Sequence, residues 1–263
     1  MIVPVTSFNY FGGIDFSGAR EPLANLWTAI GREDAGKLRI VSLRPHAFRA
    51  DLCGYVAGGW RQAAEGEEGE PRVLWGADFA FGIPAAAARH LIRDAAPERA
   101  WESLLAWVAD RPADEIRNAV PNELRTPRRT DTGGALAPFD LRLYKQTAEG
   151  IRWLHALRDR ADVSIHPQAP DAGASTSLIE VYPSGAAHEL GLPRRRTPAR
   201  PGEARARAAA LRIYLDFADP SLEAIAVTLE DAWDATIACL AAWLCRDDLD
   251  QPRRVAANHP ELG

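Results

Sequence analysis

Apolar positions follow two rhythms along the chain: short continuous runs in the first part, and helical spacing from about Pro84 onward. Tyr10 to Ile14, Asn25 to Ile30 and Leu38 to Leu43 are too short for helices and have glycine-bearing turns between them. They predict three strands in an antiparallel meander. Arg72 to Asp78 is apolar, rich in β-formers and closed by an acid, which predicts a buried fourth strand. Ala47 to Ala64 mixes helical and loop cues, and Glu65 to Glu70 reads as a charged surface loop.

Pro84 opens an alanine-rich helix. Trp101, Leu104, Leu105 and Val108 recur at i, i+3, i+4 and i+7 and mark one face of a second, and Leu143, Thr147, Ile151, Leu154 and Leu157 mark a third. Ser177 to Tyr182 predicts the fifth and last strand. Beyond it the pattern is helical, with Ser184 as N-cap and Gly191 as stop of a short helix, then Pro201 to Leu215 and Glu230 to Leu244. Arg117 to Asp140, broken by Pro121, Pro127, Pro138 and Gly133-Gly134, has no period and is too long for an ordinary connector. It predicts a lid or binding loop.

No repeat and no break in composition divides the chain, so residues 1–263 are expected to form one α/β domain. Its mixed sheet, an antiparallel meander followed by parallel strands, is flanked by helices. A helical and loop insertion occupies about 85–175, between the fourth and fifth strands.

Composition changes this picture little: 47% hydrophobic and 25% charged residues are ordinary for a globular protein and exclude disordered, collagen-like and disulfide-scaffold classes. A net charge of −5 speaks against a dedicated basic coat for nucleic acid but leaves room for a local basic face. Cys53, Cys239 and Cys245 show no CxxC spacing, and the histidines show no HxH or HExxH, so neither a disulfide framework nor a zinc site is expected. The longest apolar run, Ala235 to Cys245, falls far short of the roughly 20 residues a bilayer requires. With no secretory signal pattern at the N-terminus, the expectation is a cytoplasmic protein with no membrane partner.

The candidate chemistry is acidic. Asp15 closes the first strand, Asp78 closes the fourth, Glu180 lies within the fifth, and Asp231 and Asp234 open the final helix at i and i+3, on one face. Carboxylates gathered at strand ends repel one another, and divalent cations are the common relief. Glu180, flanked by Leu178, Ile179 and Val181, is costly in an interior strand unless paired or metal-bound. Ala238, Ala241 and Ala242 follow Asp234 and would let that helix lie close to the sheet.

Gly13-Ile14-Asp15-Phe16-Ser17-Gly18-Ala19, Gly76-Ala77-Asp78-Phe79-Ala80-Phe81-Gly82-Ile83-Pro84, Glu180-Val181-Tyr182-Pro183-Ser184 and Asp231-Ala232-Trp233-Asp234 occur in this order. With these motifs, from about Gly12 to Trp243, the chain resembles domain-of-unknown-function family 429, whose members are regarded as predicted nucleases of the ribonuclease H-like superfamily. The order of acids is also similar to that of RuvC-type resolvases. The resemblance implies a ribonuclease H-like fold and two-metal hydrolysis of phosphodiesters with two Mg²⁺ or Mn²⁺ ions. Asp15, Asp78 and Asp234 would form the metal-binding core, with Asp231 in support and Glu180 ligating or positioning water. The polar end, Arg246 to Gly263, and the long Arg117 to Asp140 stretch depart from the family pattern.

A nucleic acid or nucleotide is the expected substrate, with Ser17 bonding phosphate. Arg117 to Lys145 holds six basic residues against three acids, and Pro193 to Arg212 holds seven arginines against Glu203. Arginine forks bind phosphate bidentately, so Arg125, Arg128 and Arg129 are expected to meet the substrate backbone from a mobile lid. On that expectation, replacing Arg128 and Arg129 by alanine leaves the melting temperature unchanged. Two alternatives stay open. One is an ATP-binding phosphotransferase of the actin-like or sugar-kinase type, with Asp15-Phe16-Ser17-Gly18 as phosphate loop. The other is a non-catalytic module whose acids pair with the arginines of the insertion.

Overall fold

The computed structural model describes residues 8–19, 25–64, 70–132, 134–160, 162–193, 201–247 and 249. The meander forms as expected: β1 (Tyr10–Asp15), β2 (Trp27–Asp34) and β3 (Lys37–Pro45) pair antiparallel. Ala35 and Gly36, at φ 49° and 80°, turn the chain between β2 and β3, the pair of positive φ values that a two-residue hairpin matched to strand twist requires. β4 (Val73–Asp78) lies parallel to β1 on its other side, and β6 (Thr176–Glu180) lies parallel to β4. The sheet is thus mixed α/β, with the meander and parallel strands of the ribonuclease H-like arrangement.

Two strands lie outside the sequence expectation. β5 (Val163–Ile165) extends the sheet beside β6 from within the insertion, and β7 (Leu215–Phe217) pairs parallel with β3 at the other edge. The sheet order is β5-β6-β4-β1-β2-β3-β7. Both additions are three residues long, too short to display a period of two, and β7 sits where helix was expected to run through Leu215. That helix, α7 (Pro201–Leu211), ends earlier.

Alternation along the strands sorts two cores onto the two faces. Tyr10, Ile14, Val73, Trp75, Ala77 and Leu178 face one core. It is closed by α1 (Arg49–Ala57), α2 (Ala85–Leu91), α3 (Ala100–Ala109), α4 (Ala113–Ala119) and α5 (Tyr144–Arg158). Phe11, Leu74, Leu38, Ile40 and Ile179 face the other, covered by α6 (Pro183–Glu189), α7, α8 (Pro220–Thr228) and α9 (Glu230–Cys245). The insertion helices and the C-terminal helices therefore occupy opposite layers. α6 begins at Pro183, with Tyr182 rather than Ser184 at the cap, since proline suits the first helical position. Gly191, at φ 66°, ends it as expected.

No described helix is long and apolar enough to cross a membrane. Residues 65–69 of the expected charged loop, Arg194, Arg195, Arg196 and Arg200 of the basic segment, and the tail from 250 onward lie outside the described residues.

His46, just past β3, is 3% exposed and shares a 2.9 Å hydrogen bond with the Thr28 hydroxyl. Burial, aided by Arg44 and opposed by Asp51, pushes its pKa down to about 4. The unfolded chain takes up a proton near pH 6.5 that the folded chain resists until about pH 4. Stability from this group is therefore whole above pH 6.5 and lost as pH falls toward 4. Between pH 7 and 4.5 the loss is on the order of 2 kcal/mol. Urea midpoints of wild type and His46→Gln at the two pH values check this, the variant losing less stability on acidification; equal losses would remove the assignment.

Candidate functional site

Three carboxylates meet where β1 and β4 end, and glycine lets them do so. Gly13 and Gly76 are register partners on the two strands. A Cβ at Gly13 would run into the Ala235 carbonyl and the Cys239 backbone, and one at Gly76 would lie 2.6 Å from the Ala238 carbonyl. α9 therefore rests on the strand backbones with no side-chain layer between. Asp15 and Asp78 stand two residues beyond these glycines on the same face, about 6.6 Å further along. Asp234 stands one turn before Ala238, about 6 Å along the helix on the same side. With α9 running against the strands the two steps coincide, and one oxygen from each of Asp15, Asp78 and Asp234 lies within 4.8 Å of the others. Asp234 is 3% exposed, and Asp15 and Asp78 are half-buried.

Asp231, half-buried in the first turn of α9, lies outside this group, as does Glu180. Strand parity separates Glu180: its register partner on β4 is Ala77, not Asp78, so it points toward the opposite core. There Glu180 accepts hydrogen bonds from the Phe81 backbone N–H at 2.8 Å and from both terminal nitrogens of Arg128, Nη1 at 2.9 Å. Arg128 also donates to Asp131, and its Nη1 reaches the Gly82 carbonyl at 3.4 Å.

Arg128 is thus not a phosphate ligand on a loose lid but a buried tie between the segment after α4 and the sheet. Its side chain is 6% exposed and that of Asp131 2%. Although burial works against its charge, Glu180 and Asp131 raise the pKa of the guanidinium. Arg125 donates to the Val120 carbonyl at 2.8 Å, and Arg129 alone of the three is exposed. Arg128→Ala leaves Glu180 and Asp131 without their cation and is expected to cost about 3–5 kcal/mol, lowering the melting temperature by roughly 10 °C. Arg129→Ala should leave it unchanged. Calorimetric melts of the two single variants check this contrast, and equal melting temperatures would sink it.

Other basic residues of the insertion are also engaged. Arg117 stacks over Tyr144 and donates to the Phe139 carbonyl, Arg142 pairs with Asp140, and Lys145 lies over Tyr144. In the second basic segment Arg207 is 2% exposed, stacked on Trp233 and bonded to the Val227 carbonyl.

The loop after Asp15 is clamped from the layer opposite α9. Gly18 lies against the Lys145 and Gln146 backbone at the start of α5. Arg49 of α1 donates to the Ser17 and Ala19 carbonyls, and the Gln146 amide donates to the Phe16 and Asp78 carbonyls. Ser17 uses its hydroxyl to accept from the Ala19 N–H at 3.2 Å. Sequence reasoning singled out Ser17 and missed Arg49 and Gln146. Their side chains act on backbone carbonyls thirty residues away or further, and no local spacing announces such contacts.

The chain matches no protein-family model, no curated protein and no solved structure.

Proposed function

We propose that the protein is a divalent-metal-dependent phosphodiester hydrolase acting in the cytoplasm on a nucleic acid or nucleotide. The observation that carries this reading is the convergence of Asp15, Asp78 and Asp234 from β1, β4 and α9 within 4.8 Å. Two unit negative charges at that separation repel by about 3 kcal/mol at the effective dielectric of partly buried sites. A divalent cation bound among the three would relieve that repulsion. The donor set fits Mg²⁺ or Mn²⁺, because all three side chains offer hard carboxylate oxygens and no histidine or cysteine belongs to the group.

Bound there, such ions supply Lewis-acid activation of water and neutralisation of charge on the phosphate. The chain's own part is to hold three oxygens in a fixed array. Asp15 and Asp78 are held by adjacent strands, and Asp234 by a helix whose first turns carry partial positive charge toward the acids. Glu180 and Arg128 act away from the reacting atoms, as the tie that seats the insertion; this is the acid-arginine network that the non-catalytic alternative expected, confined to one face of the sheet. The packing of Gly18 against α5 and of Arg49 on the Ser17 carbonyl favours hydrolysis over phosphotransfer, since a loop so engaged is poorly suited to wrap a nucleotide phosphate. Of Arg125, Arg128 and Arg129, Arg129 is the one exposed toward a substrate phosphate.

The test is cleavage of labelled single-stranded, duplex and branched DNA and of RNA in Mg²⁺ or Mn²⁺ against EDTA, together with thermal melts. Cleavage that needs the ion, and a melting temperature raised by it through preferential binding to the folded state, support the reading. No cleavage of any substrate and no thermal shift with either ion would end it.

A further inference from the structure

One side chain ties together the strand ends that carry Asp15 and Asp78. Gln146, in the first turn of α5, donates from Nε2 to the carbonyl of Phe16 and to that of Asp78, both at 2.7 Å. Both acceptors are carbonyls, so both amide protons are committed and the orientation of the amide follows from its partners. Phe16 directly follows Asp15, so a single NH₂ group bridges the backbone beside one acid and at the other.

The bridge sits where the sheet stops helping. β1 and β4 pair in register up to Asp15 and Asp78, and beyond that row the two chains part into different loops. No further ladder bond fixes the spacing of the last pair. The clamp is braced behind: the missing Cβ of Gly18 lets the loop touch the Gln146 backbone, and Arg49, which holds the Ser17 carbonyl at 2.9 Å, is paired with Glu149 of α5 at 3.4 Å.

We infer that Gln146 is a positioning residue of the carboxylate site, setting the separation of Asp15 and Asp78 and through it the affinity of the site for a divalent cation. This rests on the metal-dependent reading above. Gln146 touches neither carboxylate through the bonds described. It acts through the backbone, in the manner of outer-sphere groups whose loss typically weakens metal binding by 10- to 100-fold.

The experiment is titration of Mn²⁺ alone, by calorimetry, into wild type, Gln146→Met, Gln146→Asn and Asp15→Asn, with metal-free melting curves beside it. Gln146→Met keeps the length and removes the donors. It is expected to bind Mn²⁺ about tenfold more weakly, while its metal-free melting temperature falls by only a few degrees. Gln146→Asn is one methylene short, reaches one carbonyl and loses less affinity, and Asp15→Asn loses binding. Wild-type affinity in both Gln146 variants, with binding lost in Asp15→Asn, overturns the positioning role and leaves the metal site standing. Equal binding, or none, in wild type and Asp15→Asn overturns the metal site and this role with it. Should Gln146→Met not fold without metal, Gln146→Asn decides, and unchanged affinity there overturns the inference.

Discussion

Asp15→Asn is expected to lower ion-dependent phosphodiester cleavage by about a thousandfold, the equivalent of several kcal/mol of lost transition-state charge stabilisation. Asp78→Asn should do the same. Asparagine keeps the shape of aspartate and one acceptor oxygen but not the charge. The fold should survive, since the group within 4.8 Å then carries one fewer mutually repelling charge. Cleavage rates at saturating Mg²⁺, with circular dichroism to confirm folding, provide the check. Unchanged rates in both variants would remove the carboxylate cluster from the chemistry. A loss in Asp15→Asn but not in Glu180→Gln would separate the three convergent acids from the acid on the opposite face.

Gly13→Val is expected to be the most damaging single change to the fold. Even the first carbon of a side chain meets the Ala235 carbonyl and the Cys239 Cα, the latter at 2.9 Å, and these are backbone atoms of a helix buried from Ala232 to Trp243. The obstruction cannot turn aside as a flexible side chain would. Relief requires lifting α9 from β1, which uncovers much of the second core, and a cost above about 4 kcal/mol follows. Gly76→Ala meets the Ala238 carbonyl at 2.6 Å and should be nearly as harmful. Gly54, exposed in α1 with open space where its Cβ would stand, supplies the contrast: Gly54→Ala should stabilise by about 0.5–1 kcal/mol. Urea midpoints order the three, and a Gly13→Val protein as stable as wild type would mean that α9 does not rest on β1.

Much of the architecture was legible because long elements print their period. β1 to β4, the face of α5 and the length of α9 all follow from runs and spacings in the chain. Asp15, Asp78 and Asp234 were legible for a related reason: each stands at a fixed offset from the end of an element that the pattern already marked. What escaped depends on relations between elements. Whether Glu180 faces Asp78 or the opposite core turns on a one-residue difference in register, and a strand buried on both faces gives no polar alternation to read it from. Arg128 looked like a phosphate ligand because its neighbours are prolines, threonines and arginines. Its partner Glu180 lies 52 residues on, and a charge run in sequence does not tell which member is folded inward.

The contact of α9 with the glycine rows also has a meaning in time. Cys239 of α9 donates to the Phe11 carbonyl of β1 across 228 residues, so one wall of the carboxylate site is synthesised long before the other. Contacts so distant in sequence are slow to form, and until they do the groove floor around Phe11, Gly13 and Gly76 stays open to solvent and to other chains. A nascent chain can complete its meander and its insertion layer yet bring only two of the three carboxylates together. Assembly of the site therefore waits on α9: the same docking event that covers the second core also delivers Asp234, and a protein truncated before α9 would lack the third carboxylate and leave that core uncovered.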